Sequence, residues 1–348
     1  MFVVSTSKSK DKNKINFDKN GQYEFIGRTS VNYGVQGYLN KLEYEPNPKN
    51  TFSLAQVGET VALFRDKEWY GSQNMFVLTP KQIEITKNHL FFESVFYRAL
   101  RKYSEAYTYP LLEDVKELMI TLPEKDGYID YSFMENIVAE LETIRVAELE
   151  AYLSATDLKN YILTEEENAA LIKLNLLNWK PYNLETLFGK STRGKRLKSD
   201  DRIPGILPFV TAGEADEGIS GYIANNVQIF EANTTTIDMF GSAKYRNYKY
   251  GADDHVAIVH TEKLEKHAAI FVTTAIHKSS HNGQFSYDKN FYSKDADALN
   301  IMLPVDDGEP DYKYMSTVIR AIQKIVIRDV VLYSDAKINK TRTLINND

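Results

Sequence analysis

The stretch LPEKDGYIDYSFM, residues 122–134, has a counterpart in LPVDDGEPDYKYM, residues 303–315. Seven residues of these stretches recur at one separation of 181 residues, among them Pro123, Gly127, Asp130, Tyr131 and Met134, which match Pro304, Gly308, Asp311, Tyr312 and Met315. This separation is far longer than the roughly 20–45 residues of a solenoid repeat. It therefore indicates a duplicated domain that forms a pseudo-dimer within one chain.

Shorter blocks extend the match toward the amino terminus, with small shifts in the separation as loop insertions produce. They pair Phe2, Ser5 and Thr6 with Phe188, Ser191 and Thr192; Phe25, Gly34, Gly37 and Tyr38 with Phe209, Gly218, Gly221 and Tyr222; Thr60 and Phe64 with Thr236 and Phe240; and Tyr70 and Gly71 with Tyr250 and Gly251. The paired glycines are interpreted as turn residues that bound a hairpin, in preference to a phosphate-clamping Gly-x-x-Gly loop.

The composition agrees with two folded domains. The 348 residues exceed one ordinary domain of about 100–150 residues, and 43% of them are hydrophobic. The absence of cysteine excludes disulfides, thiolate zinc sites and cysteine nucleophiles. No apolar run approaches the about 18 residues of a membrane span, and the start of the chain lacks a signal peptide's apolar core. We therefore expect a cytoplasmic protein with no membrane partner.

Both copies have the pattern of a mixed α+β domain. Short runs rich in Val, Ile, Phe, Tyr and Thr predict strands, and longer runs predict helices over residues 88–103 and 264–276. The predicted strands cover residues 23–27, 60–64 and 75–78 in the first copy, and 207–211, 228–231, 236–240 and 256–259 in the second. Because these strands cluster and do not alternate strictly with helices, an α+β fold is favoured over a doubly wound one.

Each copy ends in a long helix with apolar residues at heptad positions. These are Met134, Ile137, Leu141 and Ile144 in the first helix, and Met315, Val318, Ile322 and Ile325 in the second. Two stripes in one phase predict two long antiparallel coiled-coil spacer helices related by a pseudo-twofold axis. The predicted organisation is a first domain over 1–132, a helical spacer over 133–178, a second domain over 179–312, and a C-terminal spacer helix and tail over 313–348.

Charge is segregated along the chain, although the net charge is only −6. Residues 135–167 hold nine acidic and two basic residues, whereas two loops in matching places of the copies are basic. Paired basic loops favour contact with phosphates over simple solvation. Their bases are Lys8, Lys10, Lys12 and Lys14 in the first copy, and Lys190, Arg193, Lys195, Arg196 and Lys198 in the second.

Two further clusters combine the side chains that read base edges in the major groove. Arg recognises guanine and Asn or Gln recognises adenine, while Lys contacts phosphates. The clusters are Arg65, Lys67, Trp69 and Gln73 in the first copy, and Lys244, Tyr245, Arg246 and Asn247 in the second. Each cluster taken alone fits a solvated hairpin equally well.

Catalytic motifs are scarce. The chain has no P-loop, no Gly-x-Ser-x-Gly elbow and no His-Glu-x-x-His run. One alternative is a Mg²⁺ nuclease site built from Asp311, Asp335 and Lys337. Since Asp130 occupies the position of Asp311 in the first copy, capping of a helix is the preferred interpretation. We expect no catalytic residue, metal or cofactor in this chain.

The order of the motifs resembles one known family. LFGKSTRGK at residues 187–195, preceded by WKPYNL at residues 179–184, resembles the opening of a target recognition domain in specificity subunits of type I and type IIB restriction–modification systems. Ser191 and Thr192 of this run join the predicted DNA-binding residues. Residues 208–211, 218–222 and 243–246 continue the likeness, which covers nearly the whole chain as two tandem domains, each followed by a spacer helix. The first copy departs from the pattern because it has no counterpart of residues 179–185, so an initial strand or helix is expected to be missing there.

The resemblance implies a non-catalytic subunit in which each domain reads one half of a bipartite target. Its partners would be double-stranded DNA and DNA adenine methyltransferase/endonuclease subunits, which carry S-adenosylmethionine and Mg²⁺. The helices would dock these subunits through Ile137, Leu141, Ile144, Val318, Ile322 and Ile325. An alternative on the same scaffold is an adaptor or inhibitor that occupies the methyltransferase subunit without binding DNA.

Overall fold

The computed structural model of the chain describes residues 1–345 and contains two compact units, Met1–Glu148 and Leu149–Asp348. The division falls within one long helix, so the segment boundaries at residues 133, 179 and 313 remain predictions. Residues 346–348 of the predicted tail lie outside the described residues.

The first unit forms strands from its β-branched and aromatic runs, because such side chains fit a pleated, half-buried surface. In chain order its elements are β1 Phe2–Thr6, β2 Tyr23–Ile26, β3 Val35–Leu39, β4 Thr51–Ala55, β5 Ala62–Arg65, β6 Trp69–Gly71, β7 Met75–Pro80, α1 Ile83–Lys87, α2 His89–Glu105, α3 Leu112–Lys116, β8 Glu124–Lys125, β9 Tyr128–Ile129 and α4 Tyr131–Ala155.

The second unit follows a similar order, with three additional elements ahead of the repeat. Its elements are α5 Glu165–Lys173, β10 Trp179–Asn183, α6 Leu184–Phe188, β11 Thr192–Arg193, β12 Pro204–Val210, β13 Ile219–Ile223, β14 Thr234–Asp238, β15 Ala243–Arg246, β16 Gly251–Ala252, β17 Val256–Val259, α7 Lys266–Ser280, α8 Ser293–Asp297, β18 Asn300–Asp306, β19 Glu309–Pro310 and α9 Tyr312–Ile345.

Each unit builds the same two main sheets. A four-stranded sheet has the order β1-β7-β4-β5 in the first unit and β11-β17-β14-β15 in the second. A three-stranded sheet has the order β3-β2-β6 and β13-β12-β16, and its middle strand pairs antiparallel on one side and parallel on the other. The shared topology confirms the prediction of two tandem copies of a mixed α and β domain.

Two blocks of the predicted repeat alignment are wrong. Ser5 pairs with Val77 and Thr192 pairs with the equivalent Ile258, so Ser5 corresponds to Thr192 and not to Ser191. The sequence paired Thr60 and Phe64 with Thr236 and Phe240, but β4 corresponds to β14 and β5 to β15 in the matching sheets. The predicted strand over 228–231 is reduced to a single bridge between Phe230 and Tyr250. The equivalent strands begin at separations of 183 residues, for Thr51 and Thr234, and 181 residues, for Ala62 and Ala243, whereas the predicted pairing of Thr60 with Thr236 has a separation of 176.

A helix packs on the four-stranded sheet of each unit, and the two cores use different side chains. In the first unit Phe92 and Phe96 of α2 pack with Phe52 of β4, whose ring lies edge-on to Phe96 with centroids 5.4 Å apart. In the second, Val272 and Ile276 of α7 pack among smaller aliphatic residues. Complete burial of each such side chain contributes about 1.5–3 kcal/mol. The copies thus keep one topology while repacking the interior.

Strand β10 has no counterpart in the first unit. It pairs antiparallel with β18, from Trp179 opposite Pro304 to Asn183 opposite Asn300. Residues 119–123 correspond to 300–304 at the 181-residue separation but form no strand, and Met119 is 88% exposed. Among residues 1–148, the structure therefore shows the difference that the sequence predicted.

Both long helices begin at the aspartate of the repeated block. The backbone N–H of Phe133 donates to Asp130 Oδ1 at 2.9 Å, and that of Tyr314 donates to Asp311 Oδ1 at 2.8 Å. A carboxylate at this position satisfies a free N–H and favours the helix dipole, which confirms the capping interpretation. Within residues 1–345, no helix is long and apolar enough to span a membrane.

Candidate nucleic-acid interface

The segment Lys190–Arg202 of the second unit presents a cluster of exposed basic side chains. The side chains of Lys190, Arg193, Lys195, Arg196 and Lys198 are exposed. Within residues 1–345 none of these five takes part in a salt bridge. Positive charge that the protein does not neutralise itself remains available to phosphates.

Ser191 and Thr192 hold this segment in place. The backbone N–H and the hydroxyl of Ser191 both donate to Asp297 Oδ1, and Thr192 Oγ1 lies 3.0 Å from His260 Nε2. At Gly194 a Cβ would lie 1.9 Å from the carbonyl oxygen of Ala252, so only glycine permits the close approach. Because Ser191 and Thr192 are hydrogen-bonded within the domain, their role is to position the basic side chains of this segment.

The first unit offers a smaller basic segment. Lys8, Lys12 and Lys14 are exposed, while Lys10 forms an ion pair with Glu43 at 3.0 Å. Three of the four predicted lysines are thus unpaired within the described residues, and Lys10 is partly neutralised.

Arg246, predicted to read a base, is instead buried at 1% exposure. Its Nε donates to Thr236 Oγ1 at 3.0 Å, Nη1 to the Tyr248 hydroxyl at 2.9 Å and Nη2 to the carbonyl oxygen of Glu217 at 2.8 Å. All three nitrogens of the guanidinium are occupied inside the domain. The prediction that Arg246 contacts DNA is therefore wrong for the folded state.

The residues next to Arg246 are only partly available for contact with DNA. Tyr245 donates its hydroxyl to Asn233 Oδ1 at 2.8 Å, and burial raises the pKa of this tyrosine. Lys244 lies 3.2 Å from Glu214. Asn247 is exposed and stays a candidate contact.

Arg65 repeats the arrangement in the first unit at 3% exposure. Its Nε donates to Ser53 Oγ at 2.9 Å and Nη1 to the carbonyl oxygen of Tyr33 at 2.8 Å, while Nη2 has no hydrogen-bond partner among the described residues. Burial lowers the pKa of Arg65 to about 10. Trp69 is also buried, and its Nε1 donates to Thr51 Oγ1 at 3.1 Å. The predictions for Arg65 and Trp69 are wrong, whereas Lys67 and Gln73 are exposed.

The two arginines hold a pair of loops that the sequence did not predict as functional. We call residues 30–34 and 214–218 the left-handed loops, because each has three consecutive residues at positive φ. The values are 50°, 54° and 78° for Asn32, Tyr33 and Gly34, and 46°, 56° and 81° for Asp216, Glu217 and Gly218. Each loop joins the antiparallel strands of the three-stranded sheet, as the turn interpretation of the glycines predicted. A sequence signal was present in the recurrence of Gly34 and Arg65 as Gly218 and Arg246.

The chain that follows each basic segment lies against the strand that follows the left-handed loop. In the second unit Arg202 Nη1 donates to Ser220 Oγ at 3.0 Å, and the backbone N–H of Ala224 donates to the carbonyl oxygen of Ile203. In the first, the N–H of Asp18 donates to the carbonyl oxygen of Tyr38 at 2.8 Å. Each unit therefore contains a basic segment that leads into chain packed beside the left-handed loop.

The nuclease alternative is excluded by geometry. Asp311 begins α9 as its cap, and Asp335 follows 24 residues later in the same helix, about 36 Å away at ~1.5 Å per residue. Lys337 lies over the ring of Tyr333 at 5.7 Å. Two carboxylates must lie within a few ångströms to share one Mg²⁺, so these residues form no common metal site.

The heptad residues of the long helices divide into buried and exposed sets. Met134, Met315 and Val318 are buried, and Val318 packs with Ala170 of α5 and Tyr314. The predicted docking role of Val318 is therefore wrong. Of the other predicted docking residues, Ile137 is half-buried, whereas Leu141, Ile144, Ile322 and Ile325 are exposed.

The duplicated domain, with an arginine-anchored loop and a basic segment in each copy, defines a class of protein with two tandem recognition domains. The family model described as type I restriction modification DNA specificity domain matches residues 1–151 and 177–331, and the chain belongs to this family. It is similar to S.BcgI, the specificity subunit of the type II restriction enzyme BgcI of Heyndrickxia coagulans, with 23% identity over 337 residues, 94% of this chain and 93% of that one. Its fold is similar to the S subunit of a type I restriction–modification system from M. genitalium, with a TM-score of 0.58, 14% identity, and 99% of this chain and 92% of that chain covered.

Proposed function

We propose that this chain is the DNA sequence-specificity subunit of a restriction–modification complex in which each unit reads one part of a bipartite target. The observation that carries the proposal is that the same two sheets and the same arginine-anchored loop recur in both units, with unpaired basic side chains beside them. The basic segments Lys8–Lys14 and Lys190–Lys198 would hold phosphates and set the register of each unit on the duplex. Methylation and cleavage would belong to adenine methyltransferase and endonuclease subunits, which bind S-adenosylmethionine and Mg²⁺.

The long helices would space the two units and dock the catalytic subunits. Support comes from the exposed apolar residues of α9, since side chains such as Ile322, Ile325 and Val326 are costly to leave in water. Within the second unit, Ser334 Oγ of α9 donates to Glu150 Oε2 of α4 at 3.4 Å, and both Leu153 and Val331 are buried. The 181-residue separation maps Glu150 onto Val331 and Leu153 onto Ser334. An antiparallel pairing of α4 and α9 would bring these equivalent positions together.

A binding experiment with the full chain tests DNA recognition. The chain, alone and with its methyltransferase subunit, is titrated with duplex DNA between 50 and 200 mM salt. We expect the affinity to fall steeply with salt, and Lys195→Ala to lower the log–log slope by about 1. Lys249→Ala is the matched control, because Lys249 is exposed but paired with Glu231 at 2.9 Å.

Two outcomes contradict the proposal. Assembly with the methyltransferase subunit without any salt-sensitive DNA binding indicates the adaptor or inhibitor alternative. The second outcome comes from mapping the adenines that the assembled complex methylates in plasmid DNA. Methylation without a two-part consensus sequence is incompatible with sequence recognition by both units.

A further inference from the structure

The left-handed loops combine flanking residues that recur in both units with a tip that differs between them. The flanking residues recur in both units: Phe25, Gly34, Gly37, Tyr38 and Arg65 match Phe209, Gly218, Gly221, Tyr222 and Arg246. The four residues before the glycine do not recur, because Ser30-Val31-Asn32-Tyr33 stands opposite Glu214-Ala215-Asp216-Glu217. Residues 31–33 and 215–217 form the tips of the loops. Two copies that read different half-sites require this division between a common scaffold and individual contacts.

The backbone of the loops is held in a conformation that most residues avoid. Asn32, Tyr33, Asp216 and Glu217 have positive φ without being glycine, and strained residues of this kind persist only where the surroundings fix them. The guanidinium groups of Arg65 and Arg246 each donate to the carbonyl oxygen of the second strained residue at 2.8 Å. The tips are thus pre-organised, which reduces the entropy lost when they bind a ligand.

Further contacts brace each loop at its base. The backbone N–H and hydroxyl of Ser30 donate to the carboxylate of Glu59 at 2.6 and 2.7 Å. In the second unit the N–H of Gly213 donates to Asp238 Oδ2 at 3.2 Å. At Gly218 a Cβ would lie 2.8 Å from the carbonyl oxygen of Thr211, so the turn closes only around glycine. These contacts fix the base of the loop and leave the tip exposed.

The chemistry of the tips suits base edges. Asn32 is exposed, and its amide donates to the carbonyl oxygen of Val35 at 2.9 Å, a surface bond that a base can replace. An amide pairs with adenine, and Val31, 74% exposed, offers an apolar contact for a thymine methyl group. Asp216 and Glu217 are exposed carboxylates, which repel phosphates but accept from the exocyclic amine of cytosine.

We propose that the left-handed loops are base-reading elements, with Asn32 recognising an adenine in one half-site and Asp216 recognising a cytosine in the other. This inference rests on the proposed function, because it assigns residues to the reading that each unit performs. The neighbouring basic segments supply affinity for phosphates, and the loops supply part of the sequence preference.

The test exchanges the two side chains. Asn32→Asp and Asp216→Asn suit the backbone, since both residue types tolerate positive φ. The full chain and each variant select ligands from a pool of duplexes with randomised sequence, followed by sequencing of the bound fraction. We expect Asp216→Asn to move one position of one half-site from cytosine toward adenine by about 5- to 150-fold, and Asn32→Asp to do the reverse in the other half-site.

The outcomes separate this inference from the proposed function. If the wild-type chain selects a two-part motif and both exchanges select the same motif, the loops do not read bases, while the proposed function stands. Selection of no motif by the wild-type chain contradicts both. Lys198→Ala is the control for a phosphate contact, because it lowers affinity evenly without changing the motif.

Discussion

Replacing Arg246 with alanine tests whether this arginine serves the fold or the ligand. The substitution removes the three hydrogen bonds to Thr236, Tyr248 and Glu217 and leaves a cavity in place of the buried arginine side chain. Hydrogen bonds to a charged group are worth about 1.5–3 kcal/mol each, and they add incompletely when they share one group. We expect the free energy of unfolding of the second unit to fall by about 3–5 kcal/mol.

The first unit provides an internal comparison. Arg65 makes two hydrogen bonds where Arg246 makes three, and its Nη2 is buried without a partner. Because that nitrogen has already lost its hydration without compensation, Arg65→Ala should destabilise the first unit by only about 2–3 kcal/mol. The exposed neighbour Asn247→Ala should change stability by less than about 0.5 kcal/mol.

Hydrogen exchange with mass spectrometry measures the two units separately when the exchange is followed in increasing urea. Peptides covering β4 and β14 report the stability of the first and second unit, respectively. Loss of protection in β14 but not in β4 is the expected result for Arg246→Ala. Unchanged protection of β14, together with an altered DNA sequence preference, would refute the structural role of Arg246 and restore it as a base contact.

Three further predictions concern other parts of the chain. Arg193→Ala should weaken binding to all DNA sequences evenly in competition titrations, because this exposed arginine would contact phosphates and not nucleobases. Glu265→Gln should lower the thermal midpoint at pH 6: burial alone would raise the pKa of Glu265, but hydrogen bonds from Ser316 and His267 outweigh it and hold the pKa at about 2. The stabilisation is present above the ordinary value of 4.5 and is lost as the pH falls toward 2, so melting curves of the two proteins should converge over that range. Ile325→Asp should abolish co-purification with the methyltransferase subunit and leave DNA binding by the chain alone intact, since Ile325 is 47% exposed on α9.

Much of the fold could be predicted because the residues that begin helices and form turns recur in both copies of the domain. Asp130 and Asp311 begin the long helices through a hydrogen bond from the backbone N–H three residues later. Because this contact is local, a sequence pattern predicts it directly. The alignment of Thr60 with Thr236 failed for the opposite reason. Strand register is set by pairing across the sheet, and no local pattern reports which strand lies alongside.

The candidate site was predicted in its charge but not in its arrangement. Exposed bases such as Lys195 and Arg196 follow from a segment too polar to be buried, whereas Arg246 has the same residue type and is enclosed. A local pattern cannot distinguish a guanidinium that faces water from one that finds a hydroxyl or carbonyl partner elsewhere in the chain.

The sequence by itself therefore determined the duplication, the basic segments and the helix starts, because each depends on composition or on neighbours a few residues away. The tertiary structure alone decided that Arg65 and Arg246 face inward and fix the left-handed loops, because Tyr33 and Glu217 come into reach of these arginines only when the two sheets of each unit have formed.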